Sequence, residues 1–94
     1  MEGGIGFGLG AVLNSEITLT DGKVDQANFD TYKTLRIDRM PAVTVAVIDS
    51  DEAPTGVGEP GTPPIGAAVL NAVRAATGER LRQLPVGKVK TQQA

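Results

Sequence analysis

Neither cysteine nor histidine occurs in this 94-residue chain, and tryptophan is absent as well. Without cysteine there is no disulfide framework, no thiol nucleophile and no cysteine-held iron–sulfur cluster. The joint absence rules out a Cys/His zinc site, and the lack of histidine rules out a Ser-His-Asp triad or a histidine base. Aromatic residues number three, Phe7, Phe29 and Tyr32, and much of the 40% hydrophobic fraction is alanine and valine, which bury little area each. Long apolar runs are missing too. No stretch approaches the roughly 18 residues that cross a bilayer, and the first ten residues lack the basic group that opens a signal peptide. We expect a soluble chain without membrane insertion. The missing cysteines do not decide between a cytoplasmic and a periplasmic setting.

What is abundant is glycine, with 12 residues, together with six prolines. In a chain of 9.7 kDa this points to one domain with a thin core and many turns, too small for a deep, closed pocket of its own. The net charge is −2 and its signs are segregated: residues 1–73 hold four basic and ten acidic groups, residues 74–94 five basic and one acidic. A short basic tail without a stacking aromatic is a solvated end, and no nucleic-acid partner is expected.

Along the chain, Ile5, Leu9, Val12 and Leu13 have helical spacing and predict a helix over about 3–13. Glycines 6, 8 and 10 lie inside it, each costing about 1 kcal/mol relative to alanine. They make sense where another backbone or a ligand approaches closely. Two alternating runs, Glu16–Thr20 and Lys23–Ala27, flank Asp21-Gly22, the sequence of a type I′ turn, and predict a hairpin over about 15–27. Residues 28–40 have no clean period and read as an irregular connection. The β-branched run Val43–Ile48 reads as a strand buried on at least one face. Residues 49–64 are too rich in proline, glycine and acid to be regular. A second helix is expected over about 63–77, with Thr62 as its cap and Pro63 at its first position. Its apolar face is Ile65, Val69, Leu70, Val73 and Ala76, its last turn holds Arg74, and Gly78 ends it. Residues 80–86 suggest a short final strand. The sum is an α+β fold, two helices against a small, mainly antiparallel sheet, over 1–86, with a disordered tail at 87–94.

Gly56-Val57-Gly58-Glu59-Pro60-Gly61 formally matches the dinucleotide fingerprint G-x-G-x-x-G. Its context fails: residues 51–55 intervene where a strand should lead straight in, Glu59 would repel a pyrophosphate, and there is no second βαβ unit. Gly6–Ala11 is a second formal match with no strand before it. Asp49, Asp51 and Glu52 lack the spaced ligands of a calcium loop and read as a solvated acidic turn, so no metal site is expected. Glu59 is a single carboxylate between glycines and prolines, just ahead of a helix. Gly58 lets a backbone come close to a ligand there, and Pro60 limits the loop's freedom. Such an acid is either a surface residue compensating the helix dipole or a positioned general base, and pattern alone favours the first.

The ordered set Glu2-Gly3-Gly4, Asn28-Phe29, Tyr32, Leu35-Arg36, Pro41, Gly56-Val57-Gly58-Glu59-Pro60 and Arg80-Leu81-Arg82-Gln83-Leu84-Pro85 resembles the molybdenum hydroxylases of the xanthine dehydrogenase/aldehyde oxidase family. The likeness is to the C-terminal part of their large, molybdopterin-binding subunit, in the branch of the isoquinoline 1-oxidoreductase beta subunits, and covers about residues 2 to 86. It implies an oxidoreductase that hydroxylates an N-heterocycle or an aldehyde at a molybdenum–molybdopterin centre with water as oxygen source. By that resemblance Glu59 is the general base beside the cofactor and Gly58 the residue of close approach. It further implies two partners, the rest of the large subunit and an iron–sulfur subunit. Most of the pterin pocket, and a glutamine that closely precedes Glu-Gly-Gly in the family, lie outside this sequence. The chain alone is therefore expected to be inactive and to hold little or no cofactor. The alternative is a stand-alone, non-catalytic domain without cofactor, self-associating as a homo-oligomer to cover the glycine-rich face of residues 3–13.

Overall fold

A computed structural model describes residues 1–87. Two helices dominate it: α1, Glu2–Leu13, and α2, Thr62–Thr77. Between them lie a two-stranded ribbon, β1 (Leu19–Thr20) and β2 (Lys23–Val24), and a single 3-10 turn at Ile37–Arg39. The α+β class and both helices agree with the sequence pattern. The predicted tail lies outside the described residues apart from Gly87.

Helix α1 forms despite its glycines because tertiary packing replaces intrinsic propensity. Leu9 and Val12 are buried and Ile5 and Leu13 half-buried, so the expected apolar face is the one that packs. The glycines divide between two neighbours. Gly4 and Gly8 meet the start of α2 and the loop before it, whereas Gly6 meets Met40 and Gly10 meets Leu35. Residues of the same chain thus cover part of that face, while Gly3 and Phe7 stay open to solvent.

Helix α2 turns Ile65, Val69, Leu70 and Val73 inward, all half-buried, while Ala76 is exposed. It ends as expected at Gly78, whose φ of 78° is left-handed and whose N–H donates to the Arg74 carbonyl at 2.7 Å. Its beginning differs from expectation. Thr62 is the first helical residue, Gly61 occupies the cap position, and no side chain caps the end. The Thr62 hydroxyl instead donates to the Gly4 carbonyl at 2.8 Å, a long-range bond that competes successfully with capping.

The hairpin is real but shorter than 15–27. Its ladder pairs Leu19 with Val24 and Thr20 with Lys23, and Asp21 (φ 50°) and Gly22 (φ 77°) supply the two positive values a type I′ turn needs. Beyond it, the Asp25 N–H donates to the Thr18 carbonyl at 2.9 Å, and the Gln26 side chain accepts from the Thr18 N–H at 2.9 Å. Leu19 and Val24 are both exposed, and a ribbon with no face to bury is marginal at any greater length.

Two predicted strands do not form. Val43–Ile48 makes no backbone hydrogen bond among the described residues, and Val47 and Ile48 are 84% and 88% exposed. A strand needs an edge to pair with, and the nearest ladder has only two rungs. Residues 80–86 are likewise unpaired; instead Pro85 and Val86 are buried. Leu9, Val12 and Val86 form the buried hydrophobic core among the described residues, and no side chain there is fully buried. The chain exposes 7685 Å², whereas a compact protein of this mass exposes about 5100 Å². The core is thin, as composition implied.

Candidate functional site

The segment Gly56–Pro60 is irregular and closes on a turn. The Thr62 N–H donates to the Glu59 carbonyl at 2.9 Å, so Glu59, Pro60, Gly61 and Thr62 form a β-turn that runs straight into α2. Pro60 at the second position has the φ that such a turn requires, and Gly61 follows in right-handed helical geometry (φ −79°, ψ −17°). The predicted site residues Gly58 and Glu59 are therefore neighbours on one short, locally constrained loop.

Three contacts hold this loop to α1. A Cβ on Gly4 would fall on the Gly58 carbonyl oxygen. A Cβ on Gly61 would stand 2.6 Å from Ile5 Cγ1. At Gly8 an added Cβ would stand 2.6 Å from Ile65 Cγ2 and 2.7 Å from the Thr62 carbonyl oxygen, distances that real side chains do not adopt. With the Thr62–Gly4 hydrogen bond, these contacts weld the first two turns of α1 to the start of α2. Gly4, Gly8, Gly61 and Thr62 are thus the positioning residues; the sequence marked Gly8 for close approach and Thr62 as a cap, but not their common role in fixing the Glu59 loop. The spacing Gly4-x-x-x-Gly8, two small residues one turn apart, was the available signal.

The Glu59 side chain takes no part in these contacts. It is exposed and makes no hydrogen bond or ion pair among the described residues. It lines an open cleft of about 600 Å³ together with Gly56, Gly58, Pro60 and Pro63. No atom stands within 4 Å of where a Cβ would sit on Gly56 or Gly58, so both glycines leave space on the cleft side. Gly58 thus has two sides: its carbonyl is packed against α1, and its α-carbon is open.

This arrangement fits one wall of a larger site. It offers one carboxylate on a fixed turn and a glycine edge that a bulky group can approach. It does not offer a donor set: among the described residues no three carboxylate, imidazole or thiol side chains converge to hold a metal ion. Asp49, Asp51 and Glu52 are exposed and belong to no such group. No helix of the structure is long and apolar enough to cross a membrane.

A second, larger cleft of about 620 Å³ runs between α1 and residues 32–40, where Phe7, Leu35, Ile37 and Met40 line it. It carries mostly apolar surface. Glu2, Tyr32 and Arg36 of the ordered motifs line it as well, whereas Glu59 and Gly58 do not.

No family model matches the chain. The isoquinoline 1-oxidoreductase subunit beta of Brevundimonas diminuta is 38% identical over 86 residues, 92% of this chain and 11% of that protein. A membrane-bound aldehyde dehydrogenase (pyrroloquinoline-quinone) of Gluconacetobacter polyoxogenes is 40% identical over 85 residues, 90% of this chain and 11% of that protein. The xanthine dehydrogenase molybdenum-binding subunit of Escherichia coli O157:H7 is 31% identical over 93 residues, 92% of this chain and 12% of that protein. The chain thus spans about a ninth of the length of the curated relatives it matches. One is named an oxidoreductase and the other two dehydrogenases.

Proposed function

Because the chain belongs, as a segment, to the large-subunit family of xanthine dehydrogenases and isoquinoline oxidoreductases, we propose that it forms one wall of a molybdenum hydroxylase active site, with Glu59 as general base. The segment is the C-terminal part of the molybdopterin-binding domain. The complete enzyme hydroxylates an N-heterocycle or an aldehyde, together with the rest of the large subunit and an iron–sulfur subunit. The observation that carries this reading is the position of Glu59. It is an exposed carboxylate beside two glycines with open space, on a turn whose backbone is pinned to a helix.

Molybdenum–molybdopterin, when bound, supplies the two-electron oxidation of the substrate. The residues of this chain supply the rest of what can be derived. Glu59 takes up the proton of the water-derived oxygen nucleophile as it adds to an electron-poor carbon. Positioning matters more for a base than raw basicity, and the turn from Glu59 to Thr62 fixes the carboxylate's origin. Gly58 presents its open α-carbon beside Glu59, so a large planar group can lie close to the backbone without meeting a side chain.

The test is coexpression of this chain with the remainder of a large subunit. Glu59→Gln keeps the side chain's shape but cannot accept a proton. The complex should retain its metal content while turnover falls by about 10²–10⁴-fold, the usual contribution of a positioned base. An active Glu59→Gln enzyme overturns the assignment.

The relatives' names carry two cofactors, molybdenum in one and pyrroloquinoline quinone in another. Elemental analysis of the same complex separates them. A second reading, a stand-alone domain without cofactor, is favoured by one observation: a single carboxylate lines the cleft. A chain that folds alone and shows no affinity for the rest of the large subunit supports that reading.

A further inference from the structure

The run Ala42-Val43-Thr44-Val45-Ala46-Val47-Ile48 carries no charge, proline or glycine. Pro41 stands just before it, where a strand tolerates a proline, and Asp49, Asp51 and Glu52 follow. As an extended segment it is apolar on both faces. Val43, Val45 and Val47 make one face; Ala42, Ala46 and Ile48, with Thr44, make the other. A strand with one wet face alternates with polar residues, and an edge strand carries a charge, a bulge or a proline against stray pairing. This run holds no charge or proline and does not alternate. It has the composition of an interior strand, paired on both edges and covered on both faces.

Its own chain supplies little of that cover. Val43 is half-buried, but exposure rises along the run to 39% at Val45, 84% at Val47 and 88% at Ile48. Val43–Ile48 makes no backbone–backbone hydrogen bond among the described residues, and the ladder described there, β1 with β2, has two rungs. The neighbouring strands must come from another stretch of polypeptide.

A second copy is a poor source. The antiparallel register that keeps the run in phase, centred on Val45, sets Asp38 against Glu52 at both ends, and like charges directly opposite destabilise a ladder. The rest of the family polypeptide is an ample one. This chain matches its relatives over nine-tenths of its own length yet makes up 11–12% of theirs.

We infer that Val43–Ile48 is an interior strand of a sheet whose neighbouring strands belong to the rest of the large subunit. The two parts of the polypeptide join there by main-chain pairing on both edges of the run. This rests on reading the chain as a segment of that subunit, and on neither Glu59 nor a cofactor.

Hydrogen exchange read residue by residue tests it, on the 94-residue chain alone and on its complex with the coexpressed remainder of a large subunit. Successive amides of a strand point to opposite edges, so pairing on both edges protects consecutive amides. Those from Thr44 to Val47 should exchange freely in the isolated chain and about 100-fold or more slower in the complex, as befits a strand inside a sheet. Val45→Pro and Ala46→Pro each remove one of the two kinds of ladder bond. Each should weaken capture of the remainder by about tenfold or more. Helical circular dichroism of both variants, unchanged in the isolated chain, shows that the α1–α2 pair stays folded. Glu59→Gln should be captured like the wild type, which separates this joint from the base assignment. Protection of alternate amides alone makes the run an edge strand and overturns the proposal. So does protection that appears in the isolated chain as its concentration rises, the mark of a second copy. A complex in which the run still exchanges freely overturns it while leaving the segment reading intact, and a failure to form any complex overturns both.

Discussion

The carbonyl oxygen of Gly58 occupies the place where a side chain on Gly4 would begin, so a loop and a helix meet backbone to backbone. This contact lies one residue before the candidate base. What happens at position 4 is therefore read out at position 59 through a rigid turn.

Neighbouring glycines in α1 should respond in opposite directions. Gly3 has nothing within 4 Å of an added Cβ, so Gly3→Ala gains helix propensity, stabilising by up to about 1 kcal/mol. Gly4→Ala meets a backbone oxygen that cannot rotate away and should destabilise by about 1–3 kcal/mol, as overpacked sites do. Urea denaturation of the two variants, followed by circular dichroism, checks the opposite signs. Equal shifts would show that the weld is not tight.

Thr62 gives a second handle on the same junction. Thr62→Val keeps the volume and removes the hydroxyl that donates to the Gly4 carbonyl, at a cost of about 0.5–1.5 kcal/mol. Thr62→Ser retains the donor and should lose less. If Thr62 were instead a helix cap, Thr62→Asn would be neutral; here it should behave like valine, because no cap bond is made.

What could be read from the sequence divides along distance. The Asp21-Gly22 turn, the Gly78 terminus and, Ala76 apart, the inward face of α2 depend on residues a few positions apart, and each formed as expected. Thr62 carried a good local cap signal and lost it to a partner 58 residues away. Val43–Ile48 has the composition of a strand, but propensity supplies only half of a ladder and no second strand reaches it. At the site, Glu59 was legible as a loop carboxylate held by Pro60. That α1 fixes its loop was not, because a glycine's reason for being small lies in whatever comes near it.

The hairpin carries a pH dependence of known sign. Thr18 Oγ1 donates to Asp25 Oδ2 at 2.6 Å, and this bond first, then one from Thr20, holds the Asp25 carboxyl below its usual value of 3.8. A depressed folded pKa stabilises the hairpin above the unfolded value of about 3.9. That contribution disappears as pH falls through the lower folded value. Carboxyl chemical shifts should report Asp25 titrating below ordinary aspartates, and Thr18→Val should move it up toward them. An Asp25 midpoint unchanged by Thr18→Val would remove the hydrogen bond as the cause.

Between Ile48 and Gly56 the chain makes no backbone–backbone hydrogen bond among the described residues, while just beyond, at Glu59, it is clamped. Seven residues of slack reach up to about 25 Å when extended. The stretch is therefore a tether that leaves the two ends only loosely coupled. Insertions or deletions of a residue or two within 49–55 should leave both ends in place, whereas the same change between Gly58 and Thr62 would move the carboxylate off its anchor.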